Sequence, residues 1–175
     1  MNKILNTSLL ILLTTQSILA FDINKLDVPE NFKVEIFVED IEAPRQMAEG
    51  EDGYIFVGSK KGLVYALRDH DGNGKIDDVE IIAKDLNDSS GVAYHEGSLF
   101  IAEIDKVWRI DNIEKQLADF NDTVIEKTLV TDDLPSDAWH GRKWIMVDKD
   151  DSILLNVGAP CNVCLKEDER YATIL

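Results

Sequence analysis

Tyr54-Ile-Phe-Val-Gly58, Ser59-Lys-Lys-Gly62 and Leu63-Val-Tyr-Ala-Leu67 run on from one another, two apolar segments rich in β-branched and aromatic residues around a polar turn. That composition predicts a β-hairpin. The theme returns: aligning Tyr54-Ile-Phe-Val-Gly58 with Ser98-Leu-Phe-Ile-Ala102 and Ser152-Ile-Leu-Leu-Asn156 gives offsets of 44 and then 54 residues. Such a period, with several short strands in each repeat, is the pattern of β-propeller blades, each burying a face against the next. A β-sandwich, whose short strands also follow at intervals of about 8–12 residues, is the alternative. At about 45 residues per blade the chain holds about three, whereas closed propellers have about four to eight. The expected fold is therefore all-β, a partial propeller of about three blades, read as the N-terminal part of a larger ring. Tyr171-Ala-Thr-Ile-Leu175 reads as a further strand.

Working outward, Phe32-Lys-Val-Glu-Ile-Phe-Val38 alternates apolar and polar side chains and predicts a half-buried strand, after which Ile41-Glu-Ala-Pro-Arg-Gln-Met47 turns the chain. Val79-Glu-Ile-Ile-Ala83, Val92-Ala-Tyr94, Lys106-Val-Trp-Arg-Ile110 and Trp144-Ile-Met-Val147 predict strands, and the more polar residues 111–122 leave room for one short helix.

Composition bounds the partners. Of the 175 residues 45% are hydrophobic and 30% charged, which suits one globular unit with a core. Lys+Arg number 18 against 34 Asp+Glu, a formal charge of −16 that repels nucleic acid and anionic membrane surfaces. Lys3 is followed by an uncharged stretch containing Leu9-Leu-Ile-Leu-Leu13 and ending at Ala20. This reads as a secretory signal over residues 1–20, with an uncleaved anchor as the alternative. Residues 21–31 then read as a linker and residues 32–175 as the propeller part, in the periplasm or outside the cell. The two cysteines, Cys161 and Cys164, form a Cys-x-x-Cys pair, in an oxidising compartment most simply a local disulfide. No His follows the second cysteine as covalent haem attachment would need, and no second pair completes a zinc site.

The turn before Val79 contains Asp69-His-Asp-Gly-Asn-Gly-Lys-Ile-Asp-Asp-Val-Glu80. It matches a twelve-residue calcium loop, with Asp69, Asp71 and Asn73 at alternate positions, Gly74 at the sharp turn, Lys75 offering a carbonyl and Glu80 last. The flanks read as strands, so Ca2+ would stiffen a hairpin. A plain Asp/Gly/Asn turn without metal is the other reading.

Chemistry of a different kind is suggested by Leu134-Pro-Ser-Asp-Ala-Trp-His-Gly-Arg-Lys-Trp-Ile145 and Val157-Gly-Ala-Pro-Cys-Asn-Val-Cys164, which place His140 in a turn before one strand and a Gly-Ala-Pro-Cys loop after the next. A histidine so placed is either a solvated turn residue or a proton acceptor held by the scaffold. The Pro-Ser-Asp, His-Gly and Gly-Ala-Pro-Cys-Asn-x-Cys string resembles the soluble pyrroloquinoline-quinone (PQQ) sugar dehydrogenases of the glucose/sorbosone dehydrogenase type. Ala43-Pro-Arg-Gln-Met-Ala48, Ser90-Gly-Val-Ala93 and Leu99-Phe-Ile-Ala-Glu103 resemble further segments of that family. The resemblance implies a six-bladed propeller, PQQ and Ca2+ as cofactors, a sugar-like substrate, an electron acceptor of unspecified kind, and His140 as general base while hydride passes to the quinone. It places Asp137 and Trp139 beside that base and makes Arg45 and Ser90 candidate cofactor contacts. Where many relatives have two histidines before the glycine, this chain has Trp139 and His140. Family segments that supply further substrate and cofactor groups would follow residue 175, so this stretch alone is expected to lack dehydrogenase activity. Two alternatives share the blades and the acidic loop: a calcium-dependent hydrolase of the lactonase type, and a secreted, non-catalytic module that binds a protein or glycan.

Overall fold

The computed structural model describes residues 22–118 and 125–175, and the signal segment expected at residues 1–20 lies outside them. Two units are distinguished, divided after Ile36. In the first, Asp22 caps a single 3-10 turn, Ile23–Lys25, by accepting from the Asn24 backbone N–H at 3.2 Å. Phe32, Val34 and Ile36 are exposed, and residues 32–38 join no strand. Alternation there marks two faces of an extended chain, but a strand also needs an edge to pair with.

The second unit holds three antiparallel sheets in chain order. The first joins β1 (Pro44–Glu49), β2 (Tyr54–Ser59), β3 (Val64–Arg68) and β4 (Asp78–Ala83). The second joins β5 (Gly91–His95), β6 (Ser98–Ala102), β7 (Val107–Ile110) and β8 (Thr128–Thr131). The third joins β9 (Ile145–Val147), β10 (Ile153–Val157) and β11 (Thr173–Ile174). A short helix, α1 (Ile113–Ala118), follows β7, where the polar stretch left room for it. The segment read as a turn at residues 41–47 instead opens β1 at Pro44, the strand's first position, with a register shift before Met47. Proline is tolerated at a strand's first residue because no ladder N–H is needed of it there.

Why this is a blade stack and not a two-sheet sandwich is visible in the burial of the second sheet. Val92, Leu99, Ile101 and Ile110 pack with Phe56, Val64 and Ile82 of the first sheet, together with Ile113 and Leu117 of α1. Ala93, Phe100, Ala102 and Val107 pack with Ile145, Leu155 and Val157 of the third. Neighbouring residues of β5 and β6 thus face opposite sheets, and both faces are covered. Middle strands β2 and β3 are accordingly apolar almost throughout, whereas the edge strand β8 is mostly exposed. This is an all-β fold of propeller type. Among the described residues no helix is long and apolar enough to cross a membrane.

The first strand of each sheet lies beside the next, β1 against β5 and β5 against β9. Gln46 ties all three together. Its backbone N–H donates to the Ser90 carbonyl at 3.2 Å, its side-chain amide donates to the Ile145 carbonyl at 2.7 Å, and its Oε1 accepts the Ile145 N–H at 3.1 Å. The amide thereby pairs with β9 as a neighbouring strand would. Gln46→Met keeps the volume but leaves a donor and an acceptor of Ile145 without partners, and is expected to cost about 2–3 kcal/mol. Urea denaturation checks this: the midpoint should fall with an unchanged slope.

Candidate active site at the entrances of the first strands

The residues leading into β1, β5 and β9 meet at one end of these strands. His140 sits in the loop before β9 with φ 55°, a left-handed conformation disfavoured for a side chain with a Cβ. Its Nδ1 lies 2.9 Å from the Ala159 carbonyl. A carbonyl only accepts, so Nδ1 carries the hydrogen, and in the neutral ring Nε2 is left with its lone pair. The imidazole is exposed, and the Trp139 ring leans on it at a centroid distance of 5.2 Å and an angle of 51°. An open, oriented Nε2 is what a general base requires.

Two close backbone approaches hold this geometry. A Cβ on Gly141 would lie 2.1 Å from the Asp137 carbonyl oxygen, and one on Gly158 would lie 2.1 Å from that of His140. Glycine is required at both because backbone occupies the space. The carboxylate of Asp137 accepts from the Tyr171 hydroxyl, with Lys166 Nζ at 3.5 Å. The Tyr171 hydrogen bond, followed by the charge of Lys166, holds the Asp137 carboxyl below its ordinary range, and the same bond raises the Tyr171 hydroxyl. A depressed carboxyl stabilises the fold above its unfolded value, and the contribution is lost as pH falls through the folded value. Tyr171→Phe should therefore lower stability more at neutral pH than at pH 3, where part of the Asp137 contribution is already lost, which thermal melts at both pH values test.

Arg142, two residues after His140, donates from Nε to Asp88 Oδ2 at 3.0 Å, and the Ser90 hydroxyl donates to the other oxygen of the same carboxylate. Asp88 has φ 56° and joins the approach to β5 to the approach to β9. The hydroxyl of Ser90 is thus turned to Asp88, and the residue is fully buried. Arg45 is exposed on β1, with Nη1 donating to the Pro44 carbonyl at 2.8 Å. Asn156 on β10 closes the other side, donating to the Arg142 carbonyl at 3.2 Å and accepting the Trp144 N–H at 2.5 Å. Cys161 and Cys164 are joined as a disulfide in the loop just after Ala159, with Cα atoms 6.0 Å apart.

The acidic loop lies between β3 and β4, at the outer side of the first sheet. One carboxylate oxygen from each of Asp69, Asp71 and Asp77 lies within 4.8 Å of the others. Asp69 accepts the N–H groups of Gly72 and Gly74 at 2.8 Å each and of Asn73 at 3.3 Å. The Gly74 bond leads among the causes that hold its carboxyl below the ordinary value. Asn73 Oδ1 accepts the Lys75 N–H at 2.9 Å. Glu80 is on β4 opposite Ala66 and lines a small cavity with Tyr54, Arg68, His70 and Asp78, apart from the three aspartates. Asp77, absent from the sequence-derived set, stands at position nine of the loop, where a ligand often acts through water. That position was the signal available for it.

No protein-family model matches the chain. An uncharacterized protein of Borreliella burgdorferi is 32% identical over 148 residues, 79% of this chain and 37% of that protein. Among solved structures, the PQQ domain of pyranose dehydrogenase from Coprinopsis cinerea superposes with a TM-score of 0.59 at 15% identity, covering 73% of this chain and 30% of that one. A Trichoderma reesei enzyme of carbohydrate-active family AA12 gives 0.59 at 14%, covering 73% and 33%. A proposed glucose dehydrogenase from Thermus thermophilus gives 0.52 at 18%, covering 72% and 40%. The likeness is one of fold, and the chain spans between 30% and 40% of the length of these proteins. A planar quinone suits an open imidazole Nε2 beside the exposed Trp139 ring, whereas the Arg45 guanidinium is shown only turned back to the Pro44 carbonyl.

Proposed function

We propose that the three sheets carry the proton-accepting part of a PQQ-dependent dehydrogenase of sugars or related hydroxyl compounds, in a propeller whose further blades complete the cofactor pocket. The observation that carries this reading is the Nδ1–H bond from His140 to Ala159, which leaves Nε2 as the acceptor. PQQ, when bound, supplies the two-electron acceptor for the hydride leaving the carbinol carbon. His140 Nε2 takes the hydroxyl proton of the same carbinol, so that the alcohol leaves as a carbonyl compound and the imidazolium returns its proton to water. The Ala159 carbonyl supports that imidazolium by accepting from Nδ1. Trp139 offers an aromatic face and Arg45 a positive charge to the bound ring system. The tight approaches at Gly141 and Gly158 keep Nε2 directed at one point.

Ca2+ is proposed for the loop of Asp69, Asp71 and Asp77, with Asn73 and the Lys75 carbonyl beside them, as a structural ion that stiffens the β3–β4 hairpin. The protein is proposed to act outside the cytoplasm, where the disulfide of Cys161 and Cys164 persists. Dye reduction by the full-length protein loaded with PQQ and Ca2+, assayed with a panel of aldoses and polyols, tests the reading. Turnover that depends on both PQQ and a hydroxyl substrate is expected. PQQ binding with no turnover on any of them would contradict it.

A further inference from the structure

Lys143 is completely buried, yet among the described residues no carboxylate lies within ion-pair distance of it. Burying an ammonium is costly unless its hydrogens find acceptors. Two of the three on Lys143 do: Nζ donates to the Gly141 carbonyl at 2.7 Å and reaches the Pro135 carbonyl at 3.5 Å. These two carbonyls stand at the start and the end of the loop that carries His140. A methionine would fill the same space at lower cost, so packing alone does not account for a lysine here. Burial also moves its pKa down, with the charge of Asp105 acting in the opposite sense.

We propose that Lys143 is the positioning residue for His140: its ammonium draws the Pro135 and Gly141 carbonyls together and so holds the imidazole Nδ1 against Ala159. The inference rests on reading His140 as the base. Without the ammonium, both carbonyls lose a charged donor and the arch between them relaxes. The His140 ring then samples both tautomers, and Nε2 is no longer always the acceptor.

The test is nitrogen NMR of the protein labelled in its histidines, which number 3, together with the kinetics of the loaded enzyme. His70 and His95 pair with Asp78 and Asp151 and serve as internal references. In the wild type, His140 should show a protonated Nδ1 and an unprotonated Nε2. In Lys143→Met the two nitrogens should average toward each other while His70 and His95 keep their signals, and kcat should fall about 10²-fold with a smaller change in KM. A folded Lys143→Met that keeps the wild-type His140 pattern overturns the proposal. If Lys143→Met does not fold, Lys143→Gln decides, since it retains one amide donor for Gly141 and should show partial averaging; an unaltered pattern there also overturns it. The NMR readout needs no cofactor, so a wild type without PQQ-dependent turnover removes the base reading and leaves the clamp to be judged on its own result.

Discussion

His140→Asn is expected to lower PQQ-dependent dye reduction by about 10²–10⁴-fold, the range by which positioned acid–base groups accelerate reactions. Stability should change little, because two effects of similar size oppose each other. The substitution removes the Nδ1–H bond to Ala159, a loss of about 1 kcal/mol. It also places at φ 55° a residue that enters the left-handed region more readily, a relief of about 1 kcal/mol. The variant should therefore melt close to the wild type and still bind PQQ, so that the loss falls on kcat. Equal turnover in a well-folded His140→Asn would remove this histidine from the chemistry.

Gly158→Ala should be nearly as damaging by a different route. The added methyl would meet the His140 carbonyl oxygen at 2.1 Å and the His140 Cβ at 3.2 Å. The first of these is backbone and has no rotamer into which to retreat, so the His140 loop or the end of β10 must shift by an ångström or more. A displacement of that size at a reacting group costs about 10²-fold in rate, and overpacking costs about 1–3 kcal/mol in stability. Thermal melts and kcat/KM measured on one preparation separate the two effects. An alanine variant with wild-type rate would mean that the loop geometry is not what positions the base.

The repeat pattern made the fold legible because each blade is built from local hairpins whose alternating and fully apolar runs follow directly from which faces are covered. β2, β3, β6, β7 and β10 fall where their apolar runs lie. Residues 32–38 misled because alternation marks faces without supplying a pairing edge. The candidate site was legible only in part. His140 and Trp139 stand together in the chain, and Ala159 lies in the loop that the same string marks. Gln46, Asp88 and Arg142 could not be found that way, since their partners are 99 and 54 residues distant and depend on how the first strands meet. Lys143 reads as an ordinary surface lysine until its burial is known. Ser90 was singled out because it stands where the resembled family often has an amide residue before the glycine; its hydroxyl is donated to Asp88, a bond the local sequence does not announce.

Docking of a quinone at the entrances of β1, β5 and β9 is open to a PQQ titration followed by tryptophan fluorescence. The chain has Trp 3, and Trp139 is the one against His140, 59% exposed. Saturable quenching is expected, largely lost in Trp139→Phe while that variant still binds PQQ by calorimetry. Quenching of the same depth in Trp139→Phe, or no saturable binding to the full-length protein, would contradict it.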